Sequence, residues 1–204
     1  MGNAARPTAS PLVLRLLLGV IFIWAGLGKM MGTVTFTGAD AARMGELRGV
    51  SPAEDPTTAR RVQALALGID RAARPTEGRA WWVSGLGPVR VSPGLQAWGV
   101  AIAEVAAGML LVLGLFTRVG AGLVVGVMAG AVWITQVGPA IASGQTLLGV
   151  LPKRDVGDLS QWTGLLLQGT LLVVAVVVGM LGPGRVSMDA RMFTRGHEEA
   201  SASK

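Results

Sequence analysis

Long apolar blocks alternate with polar stretches along the chain, and each block is longer than the helices of an ordinary soluble core. A block of about 20 residues is what an α-helix needs to cross about 30 Å of hydrocarbon. We therefore predict an all-α integral membrane protein, an antiparallel bundle of four transmembrane helices within a single domain of 204 residues. The predicted transmembrane helices are residues 11–31, 96–116, 119–142 and 161–181.

The two longest stretches outside these blocks are a long extramembrane loop at residues 33–95 and a polar tail at residues 183–204. Within the loop, one helical face collects apolar side chains, which predicts an amphipathic helix that lies on the membrane surface or caps the bundle. These apolar positions are Val62, Leu65, Ala66 and Ile69. The paired Trp81 and Trp82 are typical of an anchor at the membrane interface.

Only Thr117 and Arg118 separate the second apolar block from the third. So short a connection predicts that these two helices form a tight antiparallel hairpin. An even number of spans also places both chain termini on the same side of the membrane. Arginines flank the helix ends on that side, and we therefore predict that both termini are cytoplasmic.

Composition supports a membrane environment. Hydrophobic residues make up 51% of the chain and charged residues only 15%, against about 25% charged in a typical soluble domain. The net charge of +6 would fit nucleic-acid binding in a soluble protein. Here the arginines surround apolar blocks, so contact with anionic lipid and control of topology are favoured, and no nucleic-acid partner is expected.

Several kinds of cofactor site are not expected in this sequence. It contains no Cys, which excludes thiolate metal sites and iron–sulfur ligation by this chain. Its one His, His197, lies in the polar tail. No haem, metal or flavin site is therefore evident, and any centre of those kinds would have to come from a partner protein.

Three charged side chains fall within the apolar blocks. Arg15 and Lys29 bracket the first helix, and Glu104 lies well inside the second. At 100° per residue, both cations share one helix face with glycines, and Glu104 lies on a face of mostly small residues. We predict that these two faces pack together and that Glu104 meets a cation, either Arg15 or Lys29. The result is either a buried ion pair that fixes helix packing or a polar binding pocket.

Other polar residues in the blocks add to these two interpretations. Gln168 in the fourth helix, with Gln136 and Trp133 in the third, indicates interhelical hydrogen bonds or additions to a pocket around Glu104. The third helix also carries a GxxxGxxxG run, which predicts close helix packing. These glycines are Gly122, Gly126 and Gly130.

Three segments in order resemble one family. They are LRLLLGVIFIWAGLGKM (14–30), IAEVAAGMLLVLGLFTRVGAGL (102–123) and GPGRVSMDARMF (182–193). Together they resemble the DoxX family of four-helix bacterial membrane proteins, which includes the DoxD-like small subunit associated with thiosulfate:quinone oxidoreductase. The long loop after the first helix departs from the compact members of that family.

The resemblance implies a subunit of a quinone-linked oxidoreductase in the bacterial inner membrane, with sulfur compounds such as thiosulfate as one substrate class. A quinone is the implied cofactor, and a membrane or soluble redox protein is the implied partner. The candidate catalytic residues are Glu104, Lys29 and Arg15. The candidate quinone pocket is Gln168, Gln136 and Trp133.

Two other functions fit the same sequence. A non-enzymatic scaffold or assembly subunit would use the long loop to bind a partner, and the charged residues would hold the bundle together. A small transporter is disfavoured, because four helices leave little room for alternating access and no inverted repeat is evident. Association with further copies of the chain is left open.

Overall fold

The computed structural model describes residues 9–49, 55–73, 91–182 and 187. Four helices in this part of the chain are long and apolar enough to cross a membrane, which confirms the prediction of an all-α membrane bundle. They are α1 (Ala9–Met31), α4 (Pro93–Leu113), α5 (Thr117–Val132, continued by the π-helical turn Trp133–Val137 and by α6, Gly138–Ser143) and α7 (Leu159–Leu181).

Consecutive long helices run antiparallel and pack in the order α1, α4, α5, α7, with α7 also touching α1. Their shared core combines larger side chains with small ones such as Ala107, Ala121 and Ala175, which let the helices approach closely. The largest fully buried members are Leu18, Phe22, Leu111, Val124 and Val178. Most other large apolar side chains of these helices point outward, as lipid-facing side chains do in a membrane.

The turn between α4 and α5 differs by a few residues from the prediction. Helix α4 ends at Leu113 because Gly114 adopts the left-handed conformation, with φ of 65°. The connection is Gly114, Leu115 and Phe116, and Thr117 already begins α5. The predicted tight hairpin is present, but its turn precedes Thr117 and Arg118. We call this end of the bundle the turn end.

At the opposite end, the segment predicted as a loop folds into a small layer on the bundle. Strands β1 (Thr33–Phe36) and β2 (Thr57–Arg60) pair antiparallel, and two helices, α2 (Ala39–Arg48) and α3 (Arg61–Ala73), follow them. We call residues 33–49 and 55–73 the capping layer. It has a small core of its own, formed by Phe36, Ala41, Met44, Ala59 and Leu67.

Helix α3 is the amphipathic helix that the sequence predicts, and it caps the bundle. Its residues Val62, Ala66 and Ile69 are buried against Ala97 and Ala101 of α4. Small side chains on α4 allow α3 to pack closely there. The capping layer is therefore joined to the membrane helices by an apolar contact.

An ion pair links the two helices of the capping layer. Arg43 of α2 donates two hydrogen bonds to the carboxylate of Asp70 on α3, from Nε and Nη2, each 2.8 Å long. Arg43 also pairs with Glu46. The bonds to Asp70 and then to Glu46 raise the pKa of the Arg43 guanidinium above its ordinary value.

A short strand pair, β3 (Thr146–Leu147) with β4 (Leu151–Pro152), connects α6 to α7. Asp158 then begins α7, because its carboxylate accepts hydrogen bonds from the backbone N–H and the hydroxyl of Ser160. Several features named above lie outside the described residues. They are Trp81, Trp82, His197 and nearly all of the predicted tail.

Candidate functional site

The two helices that carry the charged residues approach each other through glycines. A Cβ atom at Gly108 of α4 would lie 2.6 Å from the backbone oxygen of Gly19 on α1, and one at Gly26 would lie 2.9 Å from that of Ala101. Only glycine fits at such distances. The two faces that the sequence predicts to pack together, one on α1 and one on α4, therefore do so.

Within this contact, Lys29 is the cation that reaches Glu104. Its Nζ lies 2.6 Å from Oε1 and 2.5 Å from Oε2 of the carboxylate. Glu104 lies near the middle of α4 and is 2% exposed, whereas the Lys29 side chain is 30% exposed. The pair therefore has one fully enclosed member and one that keeps a path to the surroundings.

Arg15 is not part of this pair. Its side chain is buried at the turn end, where its guanidinium lies against Gly114, and a Cβ atom at that glycine would be 2.5 Å from Nη1. Lys29 lies fourteen positions after Arg15 on the same helix, which is about 21 Å along the axis at about 1.5 Å per residue. The structure thus brings together two of the three candidate catalytic residues, Lys29 and Glu104.

A groove of about 800 Å³ runs along the bundle beside the ion pair. Helices α4 and α5 form its walls, and α3 and α7 border it. Most of its lining is apolar, from side chains such as Val100, Leu123 and Ile134. The polar groups that line it are Lys29, Gln96, Glu104, Thr135 and Gln168.

Thr135 and Gln168 form a second polar group in the groove. The Gln168 amide nitrogen donates to the Thr135 hydroxyl across 3.2 Å, which links α7 to α5. Thr135 lies in the π-helical turn of α5. A π-helical turn inserts an extra residue into a helix and often marks a functional position. The predicted interhelical hydrogen bond of Gln168 is present, and the same side chain also lines the groove.

Gln136 and Trp133, the other two candidate pocket residues, do not line the groove. Gln136 accepts a hydrogen bond of 2.5 Å from Nη2 of Arg154 in the connection before α7. Trp133 is 37% exposed. Of the three candidates for a quinone pocket, only Gln168 therefore lies on the same cavity as Glu104.

The glycine run of α5 does not pack against another described helix, which contradicts the prediction. A Cβ atom at Gly122, Gly126 or Gly130 would have no atom within 4 Å, and all three residues line the groove. The same spacing that brings helices together elsewhere here leaves a strip of the α5 wall without side chains. That wall offers a flat surface to whatever occupies the groove.

Sequence reasoning missed Gln96 and Thr135 as members of the site. The position of Gln96 on the same face as Glu104 could be predicted from the sequence, because residues four and eight positions apart share a helix face. Gln96, Val100 and Glu104 form such a row on α4, and all three line the groove. No sequence pattern places Thr135 in the groove, because its orientation depends on the π-helical turn.

The groove can bind an amphipathic molecule. Lys29 supplies a hydrogen-bond donor, Glu104 an acceptor, and Gln96 and Gln168 amides that do both. The apolar remainder suits a hydrocarbon tail. Within the described ranges, no cluster of three or more His, Cys, Asp or Glu residues could hold a metal ion.

Comparison with known proteins identifies the family. The DoxX family model matches residues 10–137, from α1 to the end of the π-helical turn in α5. This is more than half of the chain and includes Lys29, Glu104 and the whole glycine-lined wall. No curated protein and no solved structure matches the chain. The family match is sufficient to conclude that this membrane protein belongs to the DoxX family.

Proposed function

We propose that this chain is a quinone-binding subunit of a membrane oxidoreductase, with the quinone in the groove beside Glu104. The observation that carries the proposal is the combination of an enclosed carboxylate with an apolar groove of about 800 Å³ on a membrane bundle. Binding sites for small organic ligands usually occupy about 300–1,000 Å³. An ionisable group at such a depth is costly, which favours a functional role for it.

The lining of the groove fits the chemistry of a quinone. A quinone ring is flat and carries two carbonyl oxygens, and its isoprenoid tail is apolar. The ammonium of Lys29 would donate to one carbonyl, and the flat ring or tail would lie along Gly122, Gly126 and Gly130. The Thr135–Gln168 pair offers a further hydroxyl and amide.

When the quinone is reduced, it gains two electrons and two protons and becomes a quinol. The electrons would come from a redox partner protein. Glu104 would take up one proton at its carboxylate oxygen and pass it to the quinone, the second proton would come from water, and Lys29 would stabilise the charged forms. Because this chain contains no Cys, oxidation of a sulfur compound such as thiosulfate would belong to that partner.

Substitution at the glycine wall tests the site directly. We expect Gly126→Leu to fill the groove and reduce retention of a short-chain ubiquinone or menaquinone about tenfold or more, because the added side chain occupies ligand space. The protein would be reconstituted in nanodiscs, and bound quinone would be measured by equilibrium dialysis and mass spectrometry. Gly99→Leu is the matched control, since Gly99 is exposed on α4 outside the groove.

Glu104→Gln provides a second arm, because it preserves shape and removes the carboxylate that would accept the proton. We expect this variant to bind quinone but to lose quinone-linked electron transfer with its native partner. Equal quinone retention by the wild type, Gly126→Leu and Gly99→Leu would contradict the proposal.

The scaffold function is the second candidate, and the capping layer favours it. This layer has its own apolar core, which presents a folded surface outside the membrane. Changing the charge at exposed positions of α2, by adding a cation with Ala42→Arg and reversing one with Arg48→Glu, should release a docked partner from purified membranes. Loss of the partner with full quinone retention would favour the scaffold function over the oxidoreductase function.

The proposed location is the bacterial inner membrane, with both termini and the turn end in the cytoplasm. Arg118, exposed at the turn end, supports this orientation through the positive-inside rule. Fusions of a fluorescent protein and of alkaline phosphatase to the C-terminus test it. Fluorescence with little phosphatase activity is expected, and the reverse pattern would contradict the orientation.

A further inference from the structure

Lys29 contributes to the walls of two cavities. One is the groove, and the other is a pocket of about 480 Å³ between α1 and the capping layer, which we call the interfacial pocket. Because the Lys29 ammonium pairs with Glu104 while part of the side chain stays exposed, it borders both. The interfacial pocket is lined by Trp24, Ala25, Gly28, Lys29, Val34, Arg61, Ala64 and Leu65.

Arg61 is held at this pocket by the end of α1. Its backbone N–H donates to the Gly32 oxygen across 2.8 Å. Its side chain crosses Gly32 so closely that a Cβ atom there would lie 3.1 Å from Cδ and 3.4 Å from Nε. Glycine at position 32 therefore allows the guanidinium to lie beside the membrane helix.

The charge of the interfacial pocket is unbalanced. Two of its lining residues are cations and none is acidic. Glu104 neutralises Lys29 from the groove side. Among the ion pairs of the described residues, none involves Arg61. The pocket therefore presents one uncompensated positive charge and part of a second to an anion.

The surroundings of the pocket are apolar and face outward. Trp24, one turn before Gly28 on α1, is 80% exposed, and nothing lies within 4 Å of the Cβ position of Gly28. This part of α1 is near the end of a predicted membrane span. Tryptophan and arginine at such a level are typical of the boundary between headgroups and hydrocarbon.

We propose that the interfacial pocket binds the phosphate group of an anionic phospholipid. Arg61 would donate two parallel hydrogen bonds to the phosphate oxygens, a geometry that guanidinium groups favour. Lys29 would add charge from the side of α1. The acyl chains would lie over Gly28 and against Trp24, which explains why this apolar helix face is open beside two cations.

A free phosphate or another small inorganic anion shares the chemistry of the headgroup but has no acyl chain to contact the apolar face. The two sources therefore predict different behaviour. A phospholipid site requires the acyl chains and retains lipid in the absence of free anions. A site for free anions binds inorganic phosphate in a bilayer of neutral lipid and is indifferent to the lipid supplied.

The test compares lipid retention in the full-length protein. Protein in mixed micelles would receive equal amounts of phosphatidylglycerol and phosphatidylcholine, and native mass spectrometry would count the bound molecules. We expect phosphatidylglycerol to be retained preferentially, and Arg61→Gln to reduce its retention about tenfold. Lys153→Gln is the control, because it removes the same charge at an exposed position outside both cavities.

Ala64→Glu adds a second variant that keeps Arg61 and supplies it with a competing carboxylate within the pocket. We expect it to lose phosphatidylglycerol as Arg61→Gln does, while both variants keep the thermal stability of the wild type in neutral lipid. Equal retention of both lipids by the wild type, or an unchanged preference in both variants, would overturn the proposal. So would saturable binding of inorganic phosphate in neutral nanodiscs that phosphatidylglycerol does not prevent.

Discussion

The two members of the Lys29–Glu104 ion pair differ in their access to water. Glu104 is 2% exposed and has its charge balanced by Lys29, whereas Lys29 is 30% exposed. A long lysine side chain can turn its ammonium toward a polar surface when its partner is lost. A carboxylate in the middle of α4 cannot do the same. The stability lost when one partner is removed should therefore depend on which partner it is.

We predict that Lys29→Met destabilises the bundle more than Glu104→Gln does. Removing Lys29 leaves a buried carboxylate without its counterion, at a cost of about 3 kcal/mol or more. Removing the charge of Glu104 leaves a lysine that can reorient, and we expect about 1 kcal/mol. Unfolding of both variants in mixed micelles, followed by circular dichroism against the fraction of denaturing detergent, measures the difference.

The double variant Lys29→Met with Glu104→Gln is the control for this prediction. It leaves no buried charge, so it should recover much of the stability lost in Lys29→Met. Equal losses of stability in the two single variants, with their sum lost in the double variant, would contradict the predicted difference between Lys29 and Glu104.

The carboxylate of Asp158 predicts a pH response at the start of α7. Hydrogen bonds from Ser160, and then from Gln161, hold the pKa of Asp158 below its ordinary value. The ionised form therefore favours the folded helix end above about pH 4, and this contribution is lost as the pH falls through the lowered pKa.

We expect the amides of the first turn of α7 to lose protection from hydrogen exchange in acid, when protection is corrected for the intrinsic rate at each pH. Asp158→Asn keeps a hydrogen-bonding side chain without the titrating charge. Its protection should not change over the same pH interval, and a wild-type profile that is equally flat would refute the prediction.

At these individual positions, the sequence predicts the site only in part. Helical spacing places both Arg15 and Lys29 on the face that meets Glu104, but spacing does not determine how far one helix is shifted along the other. That shift follows from the contacts of Gly19 and Gly26 with α4, and it leaves Arg15 at the turn end. The segments that resemble the DoxX family include the same residues, but they do not determine which cation pairs with Glu104.

Among the helices, the contact between α1 and α4 depends on glycine more than any other. We predict that Gly108→Ala costs about 1–3 kcal/mol, because the added methyl group would overlap the backbone oxygen of Gly19. Gly99→Ala on the exposed side of the same helix should be neutral or stabilising by up to about 1 kcal/mol. Detergent-induced unfolding of the two variants provides the comparison, and equal stabilities would count against a close helix contact.

Glycine spacing alone does not reveal how a glycine is used. Gly19, Gly26 and Gly108 admit a neighbouring helix, whereas Gly122 and Gly126 face open space in the groove. Both sets have small-residue spacing on an apolar helix. The difference lies in which helix occupies the adjacent space, and that is a property of the assembled bundle.

The paired strands of the capping layer were also beyond sequence reasoning. Each strand has only four residues, and the partners Thr33 and Arg60 are far apart in the chain. The first strand, TVTF, alternates polar and apolar residues over the shortest run that can indicate a strand, whereas the second, TTAR, does not alternate. The amphipathic helix α3 was predictable, because its apolar face extends over several turns.

For the molecule as a whole, a substitution that destabilises the capping layer should change hydrogen exchange in that layer and leave exchange in the bundle unchanged. The Arg43–Asp70 pair ties α2 to α3, and α3 in turn packs on α4. We predict that Asp70→Asn speeds hydrogen exchange throughout α2 about tenfold, because it breaks hydrogen bonds to a charged group. Exchange in α4 and α5 should remain as in the wild type.

Asp40→Asn is the matched control, since Asp40 forms an ion pair with Arg71 in which both side chains are largely exposed. Exposed pairs contribute about 0–1 kcal/mol, so a small effect is expected. Exchange followed by mass spectrometry in nanodiscs resolves these elements. Uniformly faster exchange in both the layer and the bundle would show that they form one cooperative unit.

The Lys29–Glu104 bond also has a consequence for biosynthesis. Its two residues are 75 positions apart, and the whole capping layer is synthesised between them. Helix α4 therefore enters the bilayer with an ionisable group whose partner belongs to a helix inserted much earlier. An unpaired charge at that depth costs several kcal/mol. We therefore expect α1 to stay beside the insertion site until α4 enters the bilayer, so that Lys29 can pair with Glu104 at that moment.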